Sequence, residues 1–256
     1  MLSIKNISFR VGKTEILNNI SLDFLPGLFH VIVGPNGSGK STFLKIFSGE
    51  LKPQQGEVLY GSENVLKIDK IKLAKNRAVM NQQSELNFPL SVNEVVLMGR
   101  YPHFAVSPSK NDEAICLQAM QLMEVEEFAE RDYLTLSGGE KQRVQFARVI
   151  SQIWDTNEPR YLFLDEANSH LDLKHQHQLL KISKDLCKQG VTVIAILHDL
   201  NLAIAYGERI IFMKNGAIAH EVPDPKNISE EIIRDVFEVD AKILTGVIED
   251  RPVIVI

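Results

Sequence analysis

The tightest constraint on this chain is a single stretch of three parts. Phe29-His-Val-Ile-Val33 is an apolar run, Gly34-Pro-Asn-Gly-Ser-Gly-Lys-Ser41 is glycine-rich, and Ser41-Thr-Phe-Leu-Lys-Ile-Phe-Ser48 is helical in character up to Gly49. A buried strand that feeds a glycine loop and then a helix belongs to an α/β fold, where helices pack on a mainly parallel sheet. The loop fills each fixed position of the pattern Gly, four free residues, Gly-Lys-Ser/Thr. Such a loop turns backbone N–H groups and the positive end of a helix toward one anion. Gly34, Pro35, Asn36, Gly37, Ser38, Gly39 and Thr42 are therefore expected to line a nucleotide phosphate site. Lys40 is expected to reach the β- and γ-phosphates, and Ser41 to offer its hydroxyl to Mg²⁺.

The rest of the chain extends this frame. Leu2, Ile4, Ile7 and Phe9, then Ile16, Ile20, Leu22 and Phe24, predict antiparallel strands turning near Gly12-Lys13. Strand character returns at Gly56–Tyr60 and Arg77–Met80. From about Phe88 to Trp154 the pattern is helical, with Ala114, Ile115, Leu117, Met120, Leu122, Met123 and Phe128 expected as a core-facing stripe over Asn111–Arg131. Arg160–Asp165 and Val191–Leu197 are near-continuous apolar runs, as parallel strands covered on both faces would be. A helix over Lys174–Gln189, closed by Gly190, completes a βαβ unit. A hairpin at Asn215-Gly216, a helix at Ser229–Phe237 capped by Ser229, and a last strand at Pro252–Ile256 follow. The expected organisation is one domain over 1–256. Residues 1–87 and 156–222 form the core with its antiparallel part, 88–155 a helical insertion, and 223–256 a short tail.

Two further segments bear on chemistry. Tyr161-Leu-Phe-Leu-Asp165 ends an apolar strand in a carboxylate suited to holding Mg²⁺ through water, and Glu166 follows as a candidate base or orienting group for an attacking water. Leu136-Ser-Gly-Gly-Glu140 opens a second helix, with Val144, Ala147, Ile150 and Trp154 expected along one packing face. With the phosphate loop and the acidic strand end, this segment resembles the ATP-binding cassette (ABC) ATPases over nearly the whole chain. The resemblance implies a P-loop ABC cassette: a mainly parallel core sheet, an N-terminal antiparallel β subdomain and an inserted α-helical subdomain.

The same resemblance implies roles for individual residues. Two cassettes would face head to tail, so that Ser137, Gly138 and Gly139, with Asp172 of Ser169-His-Leu-Asp172, meet the ATP held by the opposite copy. Gln82 matches the glutamine that joins Mg²⁺ and reports on a membrane partner, with Gln83 as the adjacent alternative. His198, in Leu197-His-Asp199, matches the histidine that touches the γ-phosphate. The slot for an adenine-contacting aromatic holds Val11, with Phe9 as the nearest ring, and Ala167-Asn168 stands where Pro-Thr is usual. Phe88–His103, Val149–Trp154, Arg160–Asp165, Asp172–His177 and Val236–Asp240 are most similar to importers of the iron-siderophore, cobalamin and haem group, the haem importers above all. Two membrane permease subunits and, indirectly, an extracytoplasmic binding protein are the implied partners, and the cytoplasmic face of the cell membrane the implied location.

Composition narrows the alternatives. A net charge of −5 offers no basic face for nucleic acid, and the scattered Lys and Arg form no polybasic anchor. No run approaches the roughly 20 apolar residues of a membrane span, and the N-terminus lacks the apolar stretch of an export signal. Cys116 and Cys187 have no metal-type spacing and are expected as small buried hydrophobes. His175 and His177 diverge on a helix, and His103 and His170 lie in loops, so haem ligation by the chain itself is not expected. The rivals are an ATPase of a siderophore or cobalamin importer, an ABC ATPase working without a permease, and a nucleotide-binding scaffold. A DNA-repair relative would need a long coiled coil between Gln82 and Ser137, and that interval is too short for one.

Overall fold

The computed structural model describes residues 1–81, 86–155, 159–169, 171–248 and 251–256. The chain divides into two compact units, Met1–Ile68 with Leu186–Ile256, and Asp69–Asp185. The first unit opens with β1 (Leu2–Val11) and β2 (Thr14–Phe24), antiparallel and joined at Gly12-Lys13 as expected. Between them and β4 (Gln55–Tyr60) in sequence lie β3 (Phe29–Val33) and the helix α1 (Lys40–Phe47). A short β5 (Glu63–Asn64) completes a four-stranded sheet in the order β2-β1-β4-β5. Leu2, Ile4, Ile7, Leu17, Ile20, Leu22 and Phe24 are all buried. The strict alternation is broken where Asn6 and Asn19 take positive φ (52° and 47°) and the register shifts. Asparagine tolerates that conformation, and the Asn6 Nδ2 donates to Asn19 Oδ1 at 3.1 Å across the bulge.

The second unit begins with α2 (Lys70–Asn76), whose first amides are capped by Asp69, and β6 (Arg77–Met80). Three helices follow, α3 (Val92–Leu97), α4 (Lys110–Leu122) and α5 (Gly138–Gln152). Each starts on the same reciprocal device: Ser91 with Glu94, Ser109 with Asp112, Ser137 with Glu140. The helical stripe expected over Asn111–Arg131 is corrected in two ways. The α-helix stops at Leu122, with Glu124 at φ 53°, and Phe128 falls in a separate 3₁₀ turn, Glu126–Phe128. Ala114, Leu117 and Leu122 are exposed, and the buried stripe is Asp112, Ile115, Cys116, Ala119, Met120 and Met123. The reason for the altered stripe is Asp112. It turns inward to Arg100, which is 2% exposed and donates to Asp112 Oδ1 (2.9 Å), Ser151 O (2.8 Å) and Asp155 Oδ1 (2.8 Å).

β7 (Arg160–Asp165) runs parallel to β6, and α6 (Leu173–Lys188) follows it, closed by Gly190 at φ 84°. Back in the first unit, β8 (Val191–Ile196) lies parallel to β3, the short helix α7 (Leu200–Tyr206) follows, and β9 (Arg209–Lys214) lies parallel to the other side of β3. All residues of β3 and β8 are buried, as strands covered on both faces should be. Asn215 and Gly216, with φ 49° and 74°, make the tight turn from β9 to β10 (Ala217–Val222). The tail carries α8 (Glu230–Phe237), capped by Ser229, and a terminal hairpin of β11 (Lys242–Ile248) and β12 (Arg251–Val255). The last strand was expected; its partner β11 and helix α7 were not. Among the described residues, no helix is long and apolar enough to cross a membrane.

Candidate functional site

In the first unit, β3 delivers the chain directly into the phosphate loop. A Cβ at Gly34 would stand 2.1 Å from the Met213 carbonyl oxygen, and one at Gly39 2.8 Å from that of Ile16. Both of these atoms are main chain, and the Leu17 side chain stands equally close to Gly39, so only glycine lets the loop pass. The turn at Gly216 is part of the same wall: its N–H donates to Ser38 O (3.2 Å), and its carbonyl accepts from Asn18 N (2.8 Å). Lys40 is buried, and its Nζ donates to Gly34 O (2.8 Å) and Pro35 O (3.0 Å), which holds the ammonium over the loop. Asn36 and Gly37 are exposed at the tip. No side chain caps the start of α1 at Gly39, and the buried Ser38 Oγ has no hydrogen-bond partner among the described residues. Amide and hydroxyl donors and one ammonium therefore converge on a strand-to-helix turn, and that donor set is made for phosphate. Ser41 and Thr42 lie half-buried in the first turn of α1.

The other expected residues of this unit flank that loop in sequence and sheet order. His198 is exposed just past the end of β8, which is paired with β3, and Asp199 caps α7 by accepting from Asn201 N (2.7 Å) and Leu202 N (3.0 Å). Val11 is 62% exposed at the end of β1, opposite Thr14, whereas Phe9 is half-buried against Leu17 in the register.

In the second unit, β7 ends on Asp165, which is buried at 4% exposure. The next residue, Glu166, adopts φ 52°. A non-glycine residue held there carries a conformational cost of order 1 kcal/mol or more, and such positions concentrate at functional sites. The Glu166 carbonyl accepts from Ser169 N at 3.1 Å, which closes the turn behind it. Ala167 is buried, and its carbonyl accepts from the Gln142 side chain of α5, so the loop after the acidic pair is tied to the helix that begins at Ser137. Asp172 is exposed and accepts from the His175 backbone N (2.9 Å) and pairs with His175 Nδ1 (2.8 Å). These bonds hold its carboxyl below the usual range.

The Ser137 helix start is capped and open. Ser137 N donates to Glu140 Oε2 (2.7 Å), Glu140 N donates to Ser137 Oγ (3.3 Å), and the Ser137 contacts keep the Glu140 carboxyl below its ordinary value. A Cβ built at Gly138 would meet nothing within 4 Å. Gln82 and its alternative Gln83 lie outside the described residues, as does His170; His103 bonds Gln152 O at 2.8 Å. Of the residues expected on the packing face of α5, Val144, Ala147 and Ile150 are fully buried.

Gln142 and Arg143 were missed in the sequence. Arg143 donates to Met123 O (2.9 Å) and Glu124 O (2.6 Å), which anchors α5 to the end of α4. The available signal was a polar Gln142 on the same helical face as Phe146 and Val149, an amide placed where an apolar residue would serve packing alone.

Oxygen donors such as Ser41 and Asp165 suit a hard cation. Among the described residues, no three His, Cys, Asp or Glu side chains gather as a metal site of their own.

Comparison with known proteins agrees with these features. The profile of the family described as ABC transporter matches residues 17–169. The hemin import ATP-binding protein HmuV of Gloeobacter violaceus is 44% identical over 220 residues, 85% of this chain and 80% of that protein. The protein of the same name from Hahella chejuensis is 40% identical over 243 residues, 94% of each. Among solved structures, a protein described as a metal-chelate type ABC transporter in an inward-facing conformation superposes with a TM-score of 0.81 at 25% identity, over 99% of this chain and 96% of that one. The dimeric bacterial ABC transporter cassette MJ0796 gives 0.76 at 31% identity, over 87% of this chain and 98% of that one.

Proposed function

The chain belongs to the ABC transporter family, and on that premise we propose that it is the ATP-hydrolysing motor of a haem importer. The observation that carries the motor assignment is the phosphate loop: glycines walled by main chain, an uncapped helix start and Lys40 held above it. Haem as cargo follows the hemin importers that the chain resembles at 44% and 40% identity.

In this proposal Gly34 to Thr42 bind the triphosphate of ATP and Val11 lies against the adenine. Lys40 neutralises charge on the β- and γ-phosphates as the bond to the leaving group breaks. Ser41 and Asp165, with Gln82, would hold Mg²⁺, which when bound would supply positive charge to the phosphate oxygens. Glu166 orients the attacking water and takes up its proton, and His198 contacts the γ-phosphate and keeps it aligned. The strained backbone of Glu166 supports this role, since such strain concentrates at functional sites.

A second copy completes the site by presenting Ser137, Gly138, Gly139 and Asp172 to the same ATP. Gly138 supports this arrangement. Glycine is a poorer helix former than alanine, and nothing among the described residues crowds that position, so an approach from outside accounts for it. The relative MJ0796 is itself dimeric. The helical segment 88–155 and Gln82 would pass closure of the dimer to two permease subunits at the cytoplasmic face of the membrane, fed by an extracytoplasmic binding protein.

The test is ATP-driven uptake by the complete complex in vesicles, offered haem, a ferric siderophore or cobalamin. Haem should be transported and the other two should not. Glu166→Gln should abolish hydrolysis and uptake while ATP still binds. Uptake of a siderophore or cobalamin instead would reassign the cargo, and undiminished turnover by Glu166→Gln would remove that residue from catalysis. Failure of the chain to co-purify with any permease would favour an ABC ATPase acting alone.

A further inference from the structure

His198 is placed by what stands on either side of it. Upstream is β8, buried and paired with β3. Downstream is α7, only seven residues long. A helix of two turns has no stability of its own, because nucleation costs more than so few hydrogen bonds return. Its position must therefore come from contacts, and the terminal strand β12 supplies two that are specific. Asn201, in the first turn of α7, donates from Nδ2 to Ile254 O (3.0 Å) and accepts at Oδ1 from Ile254 N (2.8 Å). One side-chain amide thus makes the pair of bonds that an antiparallel neighbour strand would make. At the other end of the helix, Arg251 donates from Nη1 to the carbonyls of Ile204 and Gly207, the latter at 3.2 Å. A cation satisfying the last carbonyls is the favourable charge for a helix C-terminus. Leu202, Ala203 and Ile204 of α7 and Ile254 of β12 are all buried.

This pattern exceeds what simple packing of a tail requires. Asparagine is a poor helix former next to alanine, and here its amide addresses main-chain atoms of one residue, at a position two past the Asp199 cap and three past His198. We propose that the C-terminal hairpin is a brace for the γ-phosphate histidine: β12, through Asn201 and Arg251, holds α7 so that the His198 loop keeps one position during hydrolysis. Asn201 and Arg251 are positioning residues, and the inference rests on the reading of His198 given above.

The test uses the full-length chain carrying Asn201→Ala, Arg251→Ala or Asn201→Asp, which keeps the acceptor for Ile254 N but sets a carboxylate oxygen against Ile254 O. His198→Ala serves as reference, alone and combined with each. Steady-state ATPase, equilibrium ATP binding and thermal melting are measured on all of them. The alanine variants should lose roughly tenfold in kcat with ATP affinity changed by less than about twofold, Asn201→Asp should lose at least as much as Asn201→Ala, and none should lower kcat further when His198 is already alanine. Losses that multiply with His198→Ala, or that track the melting temperature and not kcat, would show a merely structural tail and overturn the proposal. Wild-type turnover in the Asn201 and Arg251 variants would overturn it too, while leaving His198 in its role. Wild-type turnover by His198→Ala would remove the role and the brace together.

Discussion

Acidification should weaken this protein through one residue in the strand that feeds the phosphate loop. His30 is fully buried in β3, its Nε2 lies 2.9 Å from Leu25 O, and its ring meets Phe24 edge-on at 5.1 Å. The bond to Leu25 O makes Nε2 the protonated nitrogen, and Nδ1 has no partner among the described residues. Burial pushes the imidazole pKa down to about 4; the Leu25 carbonyl opposes this and the Arg209 charge adds to it. In the unfolded chain the ring titrates near 6.5. The folded value is the depressed one, so the unfolded state takes up the proton first as pH falls. Stability is intact above about pH 6.5 and is lost on the way down to about pH 4. The full loss is roughly 3 kcal/mol, of which about 2 kcal/mol has gone by pH 5. Against a total stability of about 5–15 kcal/mol that is a large share. Urea unfolding of wild type and His30→Leu at pH 7.5 and 5.0 isolates the term, because other titrating groups are common to both. The variant should be less stable at pH 7.5, by about 1 kcal/mol for the lost hydrogen bond. The gap should close or reverse at pH 5.0. Two curves that stay parallel between these pH values would refute the argument.

Other outcomes follow from the second unit. Arg100→Ala leaves the buried Asp112 and the exposed Asp155 without their cation, and should cost about 3–5 kcal/mol in urea unfolding, chiefly through Asp112; a loss below about 1 kcal/mol would mean that the carboxylates find other partners. Gly138→Ala should have effects of opposite sign. The open space around Gly138 accepts a methyl group, so stability should rise by up to about 1 kcal/mol. ATPase activity should fall because the methyl group intrudes on the nucleotide of the opposite copy. Unchanged turnover in Gly138→Ala would refute the contact between copies.

Much of the fold was legible because its chemistry is written at fixed spacing. The phosphate loop, the carboxylate closing β7 and the Asn215-Gly216 turn each need particular residues at particular offsets, and the chain supplies them. What escaped notice depends on partners distant in sequence. Helix α7 is short and follows a buried strand, so its Leu-Asn-Leu-Ala-Ile-Ala-Tyr run shows too few turns for a period to emerge. β11 contains Lys242 and Gly246 and becomes a strand only through β12. The break at Glu124 carries no glycine or proline to announce it, and is fixed by Arg143 reaching the carbonyls of Met123 and Glu124 from another helix. In the candidate site, the residue types were readable, whereas the positive φ of Glu166 and the grip of Gln142 on Ala167 were not. Both arise from packing that no local pattern encodes.

The main-chain wall around the phosphate loop bears on how this gene can change over time. The atoms that exclude a side chain at Gly34 and Gly39 include carbonyl oxygens of Met213 and Ile16, which every amino acid carries. Exchanging Met213 or Ile16 for a smaller residue therefore creates no room. A lineage that loses Gly34 or Gly39 has no neighbouring substitution that restores the fit, and reversion to glycine is its only short path back. A change of side chain at Met213 or Ile16 leaves the carbonyls of the wall in place, so a genetic screen would find second-site changes there unable to rescue a lost glycine.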